Sequence, residues 1–322
     1  MNVAVTGSTG FVGGHLVDAL LRRGDRVTCL VRSAAKAGDL EGRGCRLVFG
    51  HLGDAAALSS LLDGAEVVYH AAAALAAPTE GELHRVNVEG TARLAWAAKE
   101  AGVGRFLHVS SLAVTGPTVP GSPKDESAPP RPVTPYGRSK QAAEDVVKAA
   151  GLAFTIVRPP AVYGPRDRQF LRLFRIVRRG WAPLLGGGAQ ELSLVHAADL
   201  AGALVAAATS GTTEGGTYHA ASREVVTQRA LVEAMARAMG RRVRLVAVPP
   251  AALRAVLRAR GAWGRLRGRP SLLSPEKVAE LTAAAWTCTS DAIARDAGWR
   301  ARIGLREGLE ETARWYKQAG WL

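Results

Sequence analysis

The stretch VAVTGSTGFVGGHL, residues 3–16, runs from a short apolar segment through a glycine-rich turn into a helical pattern. Residues 2–6 read as a strand, and Leu16, Ala19 and Leu20 recur at helical spacing until Gly24 closes the pattern. Between them stand Gly7, Gly10 and Gly13. Gly7 allows the tight turn, Gly10 lets backbone approach a pyrophosphate at the helix N-terminus, and Gly13 permits close packing of helix on strand. Glycine spacing alone is a weak signal. After a strand and at a helix start it predicts a dinucleotide site made by Gly7, Ser8, Thr9, Gly10, Phe11, Val12 and Gly13.

Outward from this turn the pattern repeats. Strands are expected at 26–31, 45–49, 66–72, 105–111 and 153–159, and helices at 54–62 (capped by Asp54), 84–101 and 136–150. Strand alternating with helix implies right-handed crossovers and a parallel sheet covered on both faces. The expected class is therefore α/β, a Rossmann-type doubly wound parallel sheet with a smaller, mostly helical C-terminal lobe. The dinucleotide domain is expected over 1–165, with 190–210 returning to it, and the substrate lobe over 166–189 and 211–322. A Pro-rich loop, PGSPKDESAPPRPVTP at 120–135, falls where such a sheet has its ligand-binding rim.

Bulk composition narrows the classes. The 322 residues are ample for a core, and the three cysteines, Cys29, Cys45 and Cys288, lack metal-ligand spacing, so no metal is expected. No leader pattern or apolar run of membrane-spanning length is seen, which gives a cytoplasmic expectation. The net charge of +14 is spread along the chain with few aromatics, so it reads as surface arginine and a nucleic-acid partner is not expected. The segment LRAVLRARGAWGRLRGRP at 253–270 has six arginines and no acid. It reads as a solvated basic helix and loop, with peripheral contact to an anionic membrane as the alternative.

Two further features bear on chemistry. NAD-preferring sites place an acid at the end of the second strand to grip the ribose 2′-OH. Here Arg32 stands there, with Lys36 close behind, which favours NADP(H) and leaves NAD(H) possible if Arg32 only stacks on adenine. The other is TPYGRSK, residues 134–140. A free phenol ionises near ~10, but Lys140 lies one helical turn from Tyr136 and its charge favours the phenolate. As an isolated match these are two surface neighbours; behind a Pro-rich loop and beyond a strand-end serine they read as an acid/base pair.

Taken together, TGSTGFVG (6–13), VVYHAAA (67–73), VNVEGT (86–91), HVSSLAVTG (108–116), YGRSK (136–140), RPPAVYGPRD (158–167) and LVHAADLA (194–201) resemble an extended short-chain dehydrogenase/reductase over nearly the full chain. This is the NAD(P)-dependent epimerase/dehydratase family. RPPAVYGPRD and the closing EGLEETARWYKQAGWL are similar to the branch with 3β-hydroxysteroid dehydrogenases and dihydroflavonol reductases. The resemblance implies a catalytic set of Ser111, Tyr136 and Lys140, with Ser110 as the rival serine and Asn87 supporting the site or merely capping a helix. It implies that Ala71, Ala72 and Ala73 line the cofactor, that Lys140 can hold the ribose hydroxyls, and that Pro159 and Val162 belong to the segment beside the nicotinamide. It also implies a homodimer through the helices at 84–101 and 136–150. Two departures stand out. His51 replaces an aspartate often found in the adenine pocket, leaving that contact to His51 or the Leu52 backbone, and Ala161 replaces an asparagine common in sugar-nucleotide enzymes.

The expected activity is hydride transfer between a nicotinamide and a ketone or secondary alcohol, the substrate being apolar and ring-bearing, with Tyr136 as acid/base and Ser111 binding the oxygen. A nucleotide-sugar epimerase or dehydratase with tightly held NAD is the alternative, and a silent nucleotide-sensing protein a second. His196 is expected to be a buried core histidine.

Overall fold

Val3, Ala4 and Val5 of the first strand, β1 (Asn2–Thr6), are each at most 1% exposed, so this strand is covered on both faces and its sequence is apolar without alternation. In the computed structural model, which describes residues 1–249 and 280–322, β1 lies inside a parallel sheet. Its partners are β2 (Arg26–Val31), β3 (Arg46–Phe49), β4 (Val67–His70), β5 (Arg105–Val109) and β6 (Phe154–Arg158). Beyond β6 the chain forms β7 (Ala161–Tyr163), β8 (Trp181–Leu185), β9 (Glu191–His196) and β10 (Thr217–His219). The seven-stranded order is β10-β6-β5-β4-β1-β2-β3, every neighbouring pair parallel. The doubly wound α/β expectation is met.

Helices cover both faces. They are α1 (Phe11–Arg22), α2 (Ala34–Ala37), α3 (Ala55–Leu62), α4 (Glu80–His84), α5 (Gly90–Glu100) and α6 (Pro135–Ala149), followed by α7 (Arg168–Arg178), α8 (Ala197–Thr209) and α9 (Gln228–Ala238). Leu16 and Leu20 of α1 interlock with Leu200 and Leu204 of α8 in one core cluster, while Leu58, Leu61, Leu94, Phe106 and Val147 form a second on the opposite side. Asp54 caps α3 as expected, its Oδ1 accepting from the Ala57 N–H at 3.1 Å.

Three expectations about local structure change. The helix anticipated over 84–101 starts earlier, at α4, and passes through a π-turn at Arg85–Glu89 before α5. The strand in 192–208 does not rejoin the large sheet. As β9 it pairs with β7, with β11 (Val225–Thr227) and with β13 (Ala285–Trp286), and only α8 returns to cover the large sheet. The edge beside β6 is instead taken by β10, from the stretch assigned to the lobe. Within the described part of the lobe β8 also pairs with β12 (Arg244–Val248). Short strands of three residues carry too little periodicity to be read from sequence. The Arg-rich stretch 253–270 lies outside the described residues.

Five of the seven histidines are buried: His15, His70, His108, His196 and His219. Burial disfavours the imidazolium and holds all five below their ordinary value, His70 at about 3 and His15 and His219 at about 4. An unfolded histidine takes its proton near ~6.5. The stability from keeping these rings neutral is therefore complete above that pH and is lost as pH falls toward the folded values. The unfolding free energy from urea titrations should hold steady from neutral pH upward and drop between about pH 6.5 and 4 by as much as ~1.4 kcal/mol per pH unit for each titrating ring, the midpoint falling with it. A midpoint unchanged across that window would count against the neutral core.

Candidate active site

The cofactor end is shaped by glycine contacts. Gly7 has φ +75°, and a Cβ there would lie 2.6 Å from the Ala72 nitrogen, so β1 and the strand-end loop after β4 meet across it. A Cβ on Gly13 would overlap the Gly7 carbonyl. Gly10 differs: its nearest neighbour would be the Gly7 oxygen at 3.1 Å, with no other atom within 4 Å. The side of the turn facing away from the protein is thus open, and no side chain caps the N-terminus of α1. A free helix N-terminus beside a bare glycine fits a pyrophosphate. Thr9 and Gly10 are exposed and Phe11 and Val12 partly so, while Ser8 is buried inside the turn.

Other expected cofactor residues gather along the same rim. Ala71 and Ala72 are partly buried and Ala73 is exposed, in the loop that crosses Gly7. Arg32 is exposed immediately beyond β2. Lys36 falls in α2, and its side chain is outside the described residues. His51 is exposed, its Nδ1 accepting from the Gly53 N–H at 3.0 Å, and Leu52 packs so closely on Gly90 that a Cβ there would meet it at 2.9 Å. Pro159 is buried, and its carbonyl accepts from Leu112 N–H at 2.8 Å, tying its segment to the turn after β5. Val162 and Ala71 pack on the same core cluster as Val12.

The catalytic end forms where α6 approaches the turn after β5. Thr134 caps α6, accepting from Gly137 N–H at 3.1 Å, and Pro135 opens the first turn. A Cβ on Gly137 would lie 2.6 Å from the Ala113 carbonyl oxygen. Only glycine allows the helix that close, and the approach brings Tyr136 to Ser111. Ser111 caps the short turn Leu112–Val114, its Oγ accepting from Ala113 N–H at 3.1 Å. Tyr136 is partly exposed; desolvation pushes its phenol up to about 12 despite an opposing hydrogen bond from Ser111, and the Glu280 carboxylate pushes the same way. At neutral pH the phenol therefore keeps its proton.

The two rival serines separate cleanly. Ser110 is 4% exposed and donates to Glu144 Oε1 at 2.5 Å. Glu144, one turn beyond Lys140, also takes both arms of Arg158, Nε at 2.8 Å and Nη2 at 2.6 Å. Ser110 thus belongs to a buried structural cluster and Ser111 faces the phenol. Asn87 sits in the π-turn, 1% exposed, and clamps Ala74 from both sides: Oδ1 accepts from its N–H at 2.7 Å and Nδ2 donates to its carbonyl at 2.9 Å. Its Nδ2 also donates to Ser139 Oγ at 2.9 Å. The clamp orders the loop after β4 against α6.

Lys140 is 1% exposed. Burial lowers its ammonium to about 8, with Glu144 opposing the shift. It donates to the Val109 carbonyl at 2.8 Å and meets His108 Nε2 at 3.1 Å. Two acceptors at the end of β5 hold it there, and no hydrogen bond joins it to the phenol. His196 is a core histidine as expected, its ring against Tyr163 at 5.3 Å. Among the described residues no group of side chains could hold a metal ion, and no helix is long and apolar enough to cross a membrane.

Residues 3–221 match the family described as NAD dependent epimerase/dehydratase. The chain belongs to that family. Among its relatives is the ceramide reductase of Caulobacter vibrioides (strain NA1000 / CB15N), 34% identical over 99% of this chain and 96% of that protein. Another is the 4-hydroxy-2-methyl-3-oxo-4-farnesyl-3,4-dihydroquinoline-1-oxide ketoreductase of Stigmatella aurantiaca, 30% identical over 96% of this chain and 95% of that one. The Thermus thermophilus UDP-glucose 4-epimerase, solved with NAD, superposes with a TM-score of 0.79 at 25% identity, covering 99% and 100% of the two chains. The family together with its reductase-named relatives supports a nicotinamide-dependent oxidoreductase, consistent with the open glycine turn. Sequence reading overlooked His108 and Glu280, since nothing in their local spacing shows that they meet the helix carrying Tyr136 and Lys140, and it overlooked Glu144, whose place four residues after Lys140 on that helix was the available signal.

The serines give a direct check. Ser110→Ala removes a bond from a buried carboxylate and should lower the melting temperature while leaving most turnover. Ser111→Ala loses only the cap of a three-residue turn, so it should lower the melting temperature less than Ser110→Ala does, and it should lose roughly 10²–10³ in kcat. Reversed phenotypes, in a melt and a steady-state assay, would move the role to Ser110.

Proposed function

We propose that this protein reduces a ketone to a secondary alcohol, reversibly, with NADPH preferred over NADH. The observation that carries the reading is the meeting of the Ser111 hydroxyl with a protonated Tyr136 phenol at the rim that also carries the open glycine turn. A nicotinamide bound at that turn supplies the hydride. Ser111 donates a hydrogen bond to the substrate oxygen, and Tyr136 delivers its proton there as charge develops. Lys140, held on β5, holds the cofactor's ribose hydroxyls with its remaining N–H and keeps positive charge near the phenol when the proton leaves. Asn87 acts through the Ala74 loop and α6 rather than on the reacting atoms. Arg32, exposed at the end of β2 where an NAD site has its acid, favours a 2′-phosphate.

The substrate we favour is apolar. Leu75 and Val119 stand 58% and 68% exposed on the loops that follow β4 and β5, and Ala161 supplies no amide for a sugar nucleotide. The relatives named for a ceramide and for a farnesyl-bearing ketone support the same direction, and widen it from ring compounds to lipid-like ketones. A panel of such ketones, steroids, flavonoids and nucleotide sugars, read as NADPH consumption, tests this. Nucleotide-sugar turnover with NAD retained through purification would favour an epimerase instead.

Tyr136→Phe should bind NADPH as wild type does and lose about 10²–10⁴ in kcat; full activity would end the mechanism. Arg32→Ala should raise the KM for NADPH roughly tenfold, the worth of a charge-assisted hydrogen bond, and leave the KM for NADH nearly unchanged. Equal effects on both cofactors would show that Arg32 does not read the phosphate.

A further inference from the structure

An ammonium has three protons to donate. Those of Lys140 reach the Val109 carbonyl at 2.8 Å and His108 Nε2 at 3.1 Å, and the third has no acceptor among the described residues. Lys140 is thus positioned from β5, and the imidazole is half of that hold.

The protonation of His108 follows from its surroundings. His70 lies opposite it in the β4–β5 register, ring centroids 5.3 Å apart. Thr91 Oγ1 donates its proton to the Asn87 carbonyl at 2.6 Å, so it accepts from His70 Nε2 at 2.8 Å, and His70 Nδ1 accepts from Thr6 Oγ1 at 2.7 Å. His70 is neutral and fully committed. His108 is buried and also neutral, and with Nε2 turned to the ammonium its proton sits on Nδ1, which has no partner among the described residues. An imidazole that only filled space could be replaced by a phenyl ring without leaving a buried N–H unpaired. The strand instead keeps a ring whose one side-chain hydrogen bond among the described residues is accepted from Lys140.

We propose that His108 is a positioning residue for Lys140: its Nε2, with the Val109 carbonyl, fixes the ammonium in its charged form and leaves one N–H for the cofactor. The proposal rests on Lys140 belonging to the Ser111–Tyr136–Lys140 set. The groups facing Lys140 are few. From its own helix come Glu144, neutralised by Arg158 of β6 and bonded to Ser110 just beyond β5, and Tyr136 one turn earlier; from β5 comes His108, with His70 of β4 behind it; the π-turn and α5 bring only the neutral Asn87 and Thr91. Burial already lowers Lys140 to about 8. Removing an acceptor that favours the charged form must lower it further.

The test uses the full chain with His108→Phe and His108→Gln. In cofactor-free protein, the ¹³Cε signal of Lys140, assigned by its loss in Lys140→Ala, is followed against pH, and NADPH binding is measured by its fluorescence over the same range. His108→Phe should move the titration down by about one pH unit and weaken NADPH binding at pH 8 about fivefold. His108→Gln, whose amide oxygen reaches as far as Nε2, should restore both. If the phenylalanine variant does not fold, His108→Leu is read with the same outcomes. An unmoved titration in the apolar variant, or equal damage in His108→Gln, overturns the proposal. The titration needs no substrate, so failure of the reductase reading, seen as full activity in Tyr136→Phe, is separate from failure here.

Discussion

Helix α6 can present Tyr136 and Lys140 to the strand ends because Glu144, one further turn along the same face, is locked underneath the sheet by Arg158 and Ser110. Taking a carboxylate and a guanidinium out of water is costly, and their attraction offsets that cost only when geometry is good and the remaining lone pairs are used. Here one carboxylate receives two guanidinium bonds and a hydroxyl, all at 2.8 Å or less. The spacing of four residues then sets the rest. Rotating α6 to free Lys140 would bury Glu144 without its partners, so the site and the ion pair stand or fall together.

Glycine placement works toward the same end by removing atoms. Gly137 lets α6 touch the turn that carries Ser111, and Gly116, at φ +73°, would otherwise drive a Cβ into the Arg131 carbonyl. The Pro-rich loop is thereby folded back, its Arg131 N–H bonding the Val114 carbonyl at 2.9 Å. At the other end Gly7 and Gly13 join β1, α1 and the loop after β4 at distances no side chain permits. Cofactor end and catalytic end are thus separate close contacts, linked through the strands β4 and β5 and the histidines between them.

That interior is unusual in its polarity. Thr6, His70, Thr91 and Asn87 form a bonded chain through buried space, and His108 with Lys140 lies beside it. Partly satisfied polar interiors are costly. The unpaired nitrogen of His108 is such a cost, and the geometry ties it to the one buried ammonium of the proposed site.

Much of this could be read without coordinates. The glycine turn, the parallel order and the helix that carries Tyr136 and Lys140 one turn apart are local patterns, because turn sterics and helix period act over a few residues. The capping Asp54 and the break at Gly24 are of the same kind. The resemblance singled out Ser111 over Ser110, but the physical difference between them, both following β5, lies in the position of Glu144, 34 residues on from Ser110. The sequence could not show that 217–219 would close the sheet while 191–196 left it, because a three-residue strand carries no pattern of its own and the sheet that a longer strand joins is chosen by its neighbours. The contact of His108 with Lys140, 32 residues apart, likewise exists only once α6 lies across β5. Local chemistry was written in the chain; which buried charge meets which acceptor was settled by packing, where desolvation makes each partner matter.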